Sequence, residues 1–467
     1  MEWRSIVLAA VVIAGTPQVV LANGRPPASS SITFRQGHDN EVVAGLTFGL
    51  VFSHDGGQTW TWMCESAIGY SGIYDPRYAY STTGALFATT FDGLKVTRDG
   101  CGFTVMPSGA TFTSTNAIGP DGAFYYAAAQ TLDTGKQLPA DFKIYRSNDD
   151  GKTFPVSAKP GDSKDTNDWW QTLMVAPSDP MRVYVTGYNY MAATPGGEQV
   201  RTQLLFRSAD GGASWSPMTA SGLTPMTPKS VIELVGIASD DPAHLYVRVK
   251  DVNLTSGEAI YVSSNAGDSW TQINRKDGLI PGFVVRAALN PNHKHDLIVG
   301  TQIYGAEISH DDGLTWTALV DPPHIGCLTE NAAGEIWACT QNYGNGEIPN
   351  DGAGVMKTTD LVTWTKVLHY QDLTEAVSCP AGTLQHDSCA ISMWCAMCDQ
   401  LGCTPSASYG CPSATEAPLV EATPPPITPK RGGGCCDAGG QGSAGALALA
   451  LAVGTVLRRP RRRRVTR

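Results

Sequence analysis

The sequence predicts an all-β chain folded as a seven-bladed β-propeller, and three observations carry that prediction. An octapeptide, Ser/Thr-x-Asp-x-Gly-x-Thr/Ser-Trp/Phe, returns seven times at intervals of about 45 to 60 residues. A second block, a strand, a Pro/Asp turn and a β-branched strand, precedes most copies, so each period holds four short strands. The composition is Gly-rich and helix-poor, with abundant Thr, Val and Tyr. A unit of this size cannot bury its own apolar face and has to stack on copies of itself.

Four copies of the octapeptide are complete: SHDGGQTW at Ser53 to Trp60, SNDDGKTF at Ser147 to Phe154, SADGGASW at Ser208 to Trp215 and SHDDGLTW at Ser309 to Trp316. Three depart from the pattern. TRDGCGF at Thr97 to Phe103 has Cys101 where Gly is expected, SSNAGDSW at Ser263 to Trp270 carries Asn265 for Asp, and TTDLVTW at Thr358 to Trp364 is one residue short. Each copy follows a β-like run such as Leu204-Leu205-Phe206 and ends in an aromatic that opens another, which makes it a hairpin loop. The residue types follow from that place. Asp55, Asp99, Asp149, Asp210, Asn265, Asp311 and Asp360, with the preceding Ser or Thr, bond their own backbone to close a tight turn. The Gly supplies a positive φ, and Trp60, Phe154, Trp215, Trp270, Trp316 and Trp364 bury a large apolar area under the turn.

The upstream block reads APSDPMRVYVTG at Ala176 to Gly187, ASDDPAHLYVRV at Ala238 to Val249 and LNPNHKHDLIVGT at Leu289 to Thr301. With the octapeptide and its trailing strand this makes a propeller blade. Repeats begin near residues 30, 67, 111, 166, 229, 283 and 323, so the propeller occupies residues 23–372 as one large domain. The first and last units each contain four strands, which leaves open how the ring is closed.

Residues 1–22 read as a secretory signal peptide, with Arg4, the apolar run Ile6 to Gly15 and a small-residue site at Ala22. Read as a membrane anchor, that run is too short to span a bilayer. Twelve cysteines in an exported chain read as disulfides. Cys327 and Cys339 fall on adjacent strands of the last blade, and Cys64 and Cys101 at the ends of the first two, which suggests two bridges. Cys379, Cys389, Cys395, Cys398, Cys403 and Cys411 crowd into a small disulfide-rich module at residues 373–412. Their connectivity stays open. Cys395-x-x-Cys398 with Cys403 and His386 imitates a zinc knuckle, but the second ligand pair has the wrong spacing and an oxidising compartment favours disulfides. No metal and no cofactor is expected.

A Pro/Thr/Gly-rich stretch at residues 413–434 cannot build a core and reads as an extended, Pro-rich stalk. Residues 435–467 follow with Cys435 and Cys436, a C-terminal apolar segment from about Ala444 to Leu457, and a cluster of arginines from Arg458 to Arg464. The segment is short and Ala-rich for a permanent span. The whole-chain charge of −10 becomes more negative without the arginines, which argues against nucleic acid as a partner.

The octapeptides resemble the Asp-box (BNR) repeats found in sialidases, sortilin-type receptors, xyloglucan-hydrolysing glycosidases and photosystem II assembly factors. The tail is similar to the myxobacterial C-terminal sorting tail, MYXO-CTERM. That resemblance implies processing or lipidation at Cys435 or Cys436, loss of the apolar helix and attachment to the cell envelope; an uncleaved single-pass anchor is the other reading. Either way the propeller faces outward. In sialidases the boxes lie on the outer edge of the propeller and serve the fold, while catalysis depends on an arginine triad opened by Arg-Ile-Pro. That tripeptide is absent here, and Arg35 and Arg77 stand in other contexts.

Propellers bind at the channel mouth, through the loops that lead into the innermost strands. In blade four that loop brings Asp168, Trp169 and Trp170, of which the rings either stack on a sugar or peptide or pack an inter-blade seam. Tyr188 and Tyr190 after the next strand, Arg286 before the first strand of blade six and His324 before that of blade seven are further mouth candidates. The expected function is a non-catalytic binding or scaffold propeller at the cell surface, engaging an extracellular protein or polysaccharide. The alternative is a secreted glycoside hydrolase, with sialidase itself disfavoured. A pair of carboxylates about 5 to 10 Å apart beside an exposed Trp would mark the enzyme; Asp75, Asp168 and Glu233 are the acids to inspect.

Overall fold

The computed structural model describes residues 25–71, 74–106, 113–128, 142–161, 168–192, 199–224, 227, 229–251, 257–288, 292–346 and 348–411. Residues 1–24 and 412–467, where a signal peptide, a stalk and a tail with Cys435 and Cys436 are expected, lie outside them, as does the side chain of Tyr190. Seven antiparallel sheets form, over residues 29–63, 78–105, 113–158, 168–217, 230–276, 282–318 and 327–368. Each is one blade. The innermost strands lie side by side around the ring, and that of blade seven (Cys327–Glu330) meets that of blade one (Ser29–Arg35).

Alternating residues of each sheet pack against the blades on either side, so every seam is a thin apolar core. Between blades two and three, Phe87 stacks on Phe124 with centroids 3.7 Å apart, and Phe154 stands edge-on to Tyr126 at 5.1 Å. The octapeptide closes the turn between third and fourth strands. In blade three the Ser147 hydroxyl donates to Asp149 at 2.7 Å and accepts the Gly151 N–H at 2.7 Å, while Asp149 accepts the N–H and hydroxyl of Thr153 at 2.8 and 2.7 Å. Those bonds, led by the Thr153 N–H, hold the Asp149 carboxyl down to about 2.

The aromatic that ends the octapeptide also ties blades together. The indole N–H of Trp60 donates to the Val367 carbonyl of blade seven at 3.0 Å, that of Trp270 to Thr219 of blade four at 2.9 Å, and that of Trp316 to Ile273 of blade five at 2.7 Å. Each bond reaches the preceding blade. It joins two sheets that share no backbone ladder.

Blades one and seven each supply all four of their own strands, so the ring closes by packing at their seam. Phe34 meets Trp337 edge-on at 5.2 Å, and the Ser29 and Tyr370 hydroxyls are 2.7 Å apart. The chain then does something the sequence did not indicate. Glu375–Ala376 returns to blade one as a fifth strand, parallel to Thr61–Met63 and in register with Thr61 and Trp62. The buried Gln385 side chain extends this contact by donating to the Trp62 carbonyl at 2.9 Å and accepting the Cys64 N–H at 3.3 Å.

A π-helix (Gln385–Met393) and an α-helix (Trp394–Leu401) follow, and Trp394, Met397, Cys398 and Leu401 share one core with Trp62, Met63 and Ile68 of blade one. Cys327–Cys339 forms within blade seven, but Cys64 does not pair with Cys101. Cys64 bridges Cys389 and Cys101 bridges Cys379, with Cα separations of 5.6 and 5.4 Å. The physical reason is the fifth strand: it carries the cysteine-rich segment across the outer edges of blades one and two, where each cysteine meets a returning partner first. Cys395 pairs with Cys411 and Cys398 with Cys403, so the two cysteines of the zinc-like step belong to different bridges.

Candidate functional site

In a four-stranded antiparallel blade the octapeptide turn and the loop entering the innermost strand must lie on opposite faces of the ring. The entry face therefore carries the candidates near residues 168, 188 and 324. Asp168 begins the innermost strand of blade four (Asp168–Ala176) and is buried, accepting from the Asn189 amide at 2.7 Å and standing 3.3 Å from the Lys159 ammonium. Trp170 is 0% exposed and its indole N–H donates to the Phe142 carbonyl at 3.0 Å, so this ring packs a seam. Trp169, one residue away on the alternating strand, is half-buried and points the other way. Tyr188 is buried beneath the Arg201 guanidinium, 4.5 Å from its ring centroid. His324 accompanies these on the entry face, with Nδ1 2.7 Å from Asp351.

Arg286 stands elsewhere. It lies near the end of its strand, Gly282–Ala287, toward the face of the octapeptide turns rather than before the strand. There it meets Glu330 of blade seven at 3.2 Å. Burial pushes the Glu330 carboxyl up, against the pull of Arg286. Asp75 is likewise engaged, by both terminal nitrogens of Arg25 at 2.9 and 2.8 Å.

The most concentrated polar group belongs to the inner edge of blade five. Glu233, 3% exposed on the innermost strand, receives Lys250 at 2.7 Å, Arg248 through Nε at 3.0 Å and again through a terminal nitrogen, and the Gln171 amide of blade four at 2.7 Å. Glu258 lies beside the same guanidinium, at 3.8 Å, and accepts the Ile280 N–H at 2.6 Å. Burial opposes the charge on Glu233. Lys250, Arg248 and Arg77 of blade two nevertheless hold its carboxyl well below the usual carboxylate range. Arg77 itself is exposed.

Glu233 and Glu258 are thus two carboxylates sharing one guanidinium, close enough to raise the glycosidase question. Their burial answers against it, because Glu233 is 3% exposed and Glu258 2%, and both carboxylates lie against Arg248, so neither opens to a substrate. Sequence reasoning named Glu233 only as one acid among many. Its partners come from other strands and another blade, which no local pattern marks.

Among solved structures, the chain is similar to an ancestral GH74 enzyme at 14% identity and a TM-score of 0.49, over 68% of this chain and 44% of that one. It is also similar to a GH74 xyloglucanase from Xanthomonas campestris, at 16% identity and 0.37, over 70% and 57%. A third is the extracellular domain of a putative one component system, BT4673 from B. thetaiotaomicron, at 12% and 0.45, over 67% and 37%. The matched part spans between 37% and 57% of these chains. No family model and no curated protein matches.

Proposed function

We propose that the protein is an exported, non-catalytic binding propeller, with Asp-box turns as its scaffold, that engages an extracellular protein or polysaccharide at the entry face. The observation that carries this reading is the state of Glu233. This carboxylate, buried on the innermost strand of blade five, is engaged by two cations and an amide, an arrangement that fixes geometry and leaves it closed to a substrate. Half-buried Trp169 and exposed Arg77 offer a ring and a positive charge toward a ligand. Five disulfides fit an oxidising, extracytoplasmic compartment. The signal peptide and the sorting tail would place the propeller on the envelope.

The test is a glycan and polysaccharide array probed with the full chain, followed by a reducing-sugar assay on every hit. Binding without sugar release supports the reading, and binding weakened by Trp169→Ala locates it. Release of reducing sugar that Glu233→Gln abolishes would replace it with a glycoside hydrolase. Mass spectrometry of the native protein tests the tail separately: residues 440–467 found intact would refute cleavage.

A further inference from the structure

The entry face has a second sector, on blades five to seven, with a different chemistry. In a four-stranded antiparallel blade the turn between the second and third strands lies on the same face as the loop that enters the innermost strand. In blade six that turn is residues 301–305, and the loops entering blades six and seven, residues 277–281 and 319–326, run on either side of it. The three segments touch. The Ile325 N–H donates to the Thr301 carbonyl at 3.0 Å and the Leu319 N–H to the Ala306 carbonyl at 2.9 Å. A Cβ on Gly305 would stand 3.8 Å from Pro322 Cγ, and the Tyr304 ring covers Gly278 so closely that no Cβ would fit beneath it.

On this surface Ile303, Tyr304 and Val320 are 68%, 49% and 76% exposed. They are three of the ten large apolar side chains exposed among the described residues, and they stand together. The turn does not need them. Thr301 closes it alone, its hydroxyl donating to the Gly305 carbonyl at 2.9 Å and accepting the Tyr304 N–H at 2.7 Å, so polar residues would serve the fold equally well at the tip. Exposed apolar side chains that cluster inside a polar rim mark contact sites, whereas scattered ones do not.

The rim is acidic. Asp277, beside the Tyr304 ring, and Asp321, next to Val320, are both exposed and make no ion pair among the described residues. The neighbouring ammonium of Lys276 is taken up by Glu307. Two branched aliphatic side chains offer no flat face to a sugar ring, and two unpaired carboxylates repel an acidic polysaccharide. A protein segment with aliphatic or aromatic side chains flanked by Lys or Arg satisfies both features. We propose that this patch docks such a basic, apolar segment of a partner protein. The inference rests on the reading of the molecule as a binding propeller and gives the chemistry of one partner, at a place away from Trp169 and Arg77.

The probe is a random peptide library displayed on phage and selected on the immobilised full chain, with the enriched sequences then synthesised and titrated by fluorescence anisotropy. Enriched peptides should carry Lys or Arg beside aliphatic or aromatic residues, and added salt should weaken them. Ile303→Ser combined with Val320→Ser changes only exposed side chains, so the melting temperature should hold while affinity falls about tenfold. Asp277→Asn with Asp321→Asn should weaken binding and flatten its salt dependence. Trp169→Ala should leave it unchanged. No enrichment, enriched peptides without a basic residue, or equal binding to the Ile303→Ser/Val320→Ser protein would overturn the proposal. Glycan binding that Trp169→Ala removes, from a chain that selects no peptide, would leave the binding-propeller reading standing and this inference refuted; loss of both would refute both. A dimer in sedimentation velocity that Ile303→Ser/Val320→Ser disperses would give the patch to a second copy of the chain and overturn the assigned partner.

Discussion

Removing the two bridges that hold the returning segment to blades one and two should give a larger loss together than the sum of the losses apart. Cys64–Cys389 closes a separation of 325 residues and Cys101–Cys379 one of 278, nested inside it. While either remains, the long loop stays closed. The other then closes only the two short stretches between them, about 47 residues, which the chain-entropy relation values at about 4 kcal/mol. With both gone the long closure is lost as well, and the same relation gives about 10 kcal/mol. The paired variants Cys64→Ser/Cys389→Ser and Cys101→Ser/Cys379→Ser should therefore each cost about 4 kcal/mol, and the quadruple variant about 2 kcal/mol more than their sum. Urea unfolding read by tryptophan fluorescence suits the test, because Trp62 and Trp394 sit 5.4 Å apart in this contact. Strict additivity, or a single-pair loss under about 1 kcal/mol, would refute the reasoning: the clasp would then be held by packing and the fifth strand alone.

Acid should loosen the outer turns. Asp149, Asp311 and Asp360 are each held down to about 2 from an ordinary 3.8, by backbone N–H donors first at Asp149 and Asp360 and by the Thr315 hydroxyl first at Asp311. A carboxyl whose folded pKa is depressed contributes stability above its unfolded pKa and loses it as pH falls through the folded one, so the urea midpoint should drop between about pH 4 and pH 2. Asp311→Asn should flatten that slope, since blade five already folds on Asn265. An unchanged slope would show that these turns open independently of the ring. At the inner edge, Glu233→Gln leaves Lys250 without the counter-charge it has there and Arg248 with only Glu258, 3.8 Å away, and should cost about 3 to 5 kcal/mol. A loss below 1 kcal/mol in urea would mean that water reaches the cluster freely.

The ring was legible because its signal is local and repeated. Ser147, Asp149, Gly151 and Phe154 specify a turn with bonds that span four residues, and seven such turns set the number of blades. The site was less legible because propeller function depends on which strands become neighbours. Asp168, Tyr188 and His324 reached the entry face by their place before or after strands, while Trp170 turned into a seam because the strand alternates. Arg286 was placed one strand length from where it lies, since only the true strand start at Gly282 fixes its depth. The error over Cys64 and Cys101 has the same origin. Their partners are separated by 325 and 278 residues, and a two-residue strand at Glu375–Ala376 gives no periodicity to read.

That strand and its bridges also decide how the molecule carries load. A pull applied at Cys411 passes through its bond to Cys395, along the helical turn to Cys389, and across to Cys64 in blade one. The path is covalent throughout. The seam between blades seven and one, which is held by side-chain contacts alone, lies off that line of force. A propeller tethered through its C-terminus would therefore be dragged by its first blade, and the joint most easily peeled would feel little of the tension.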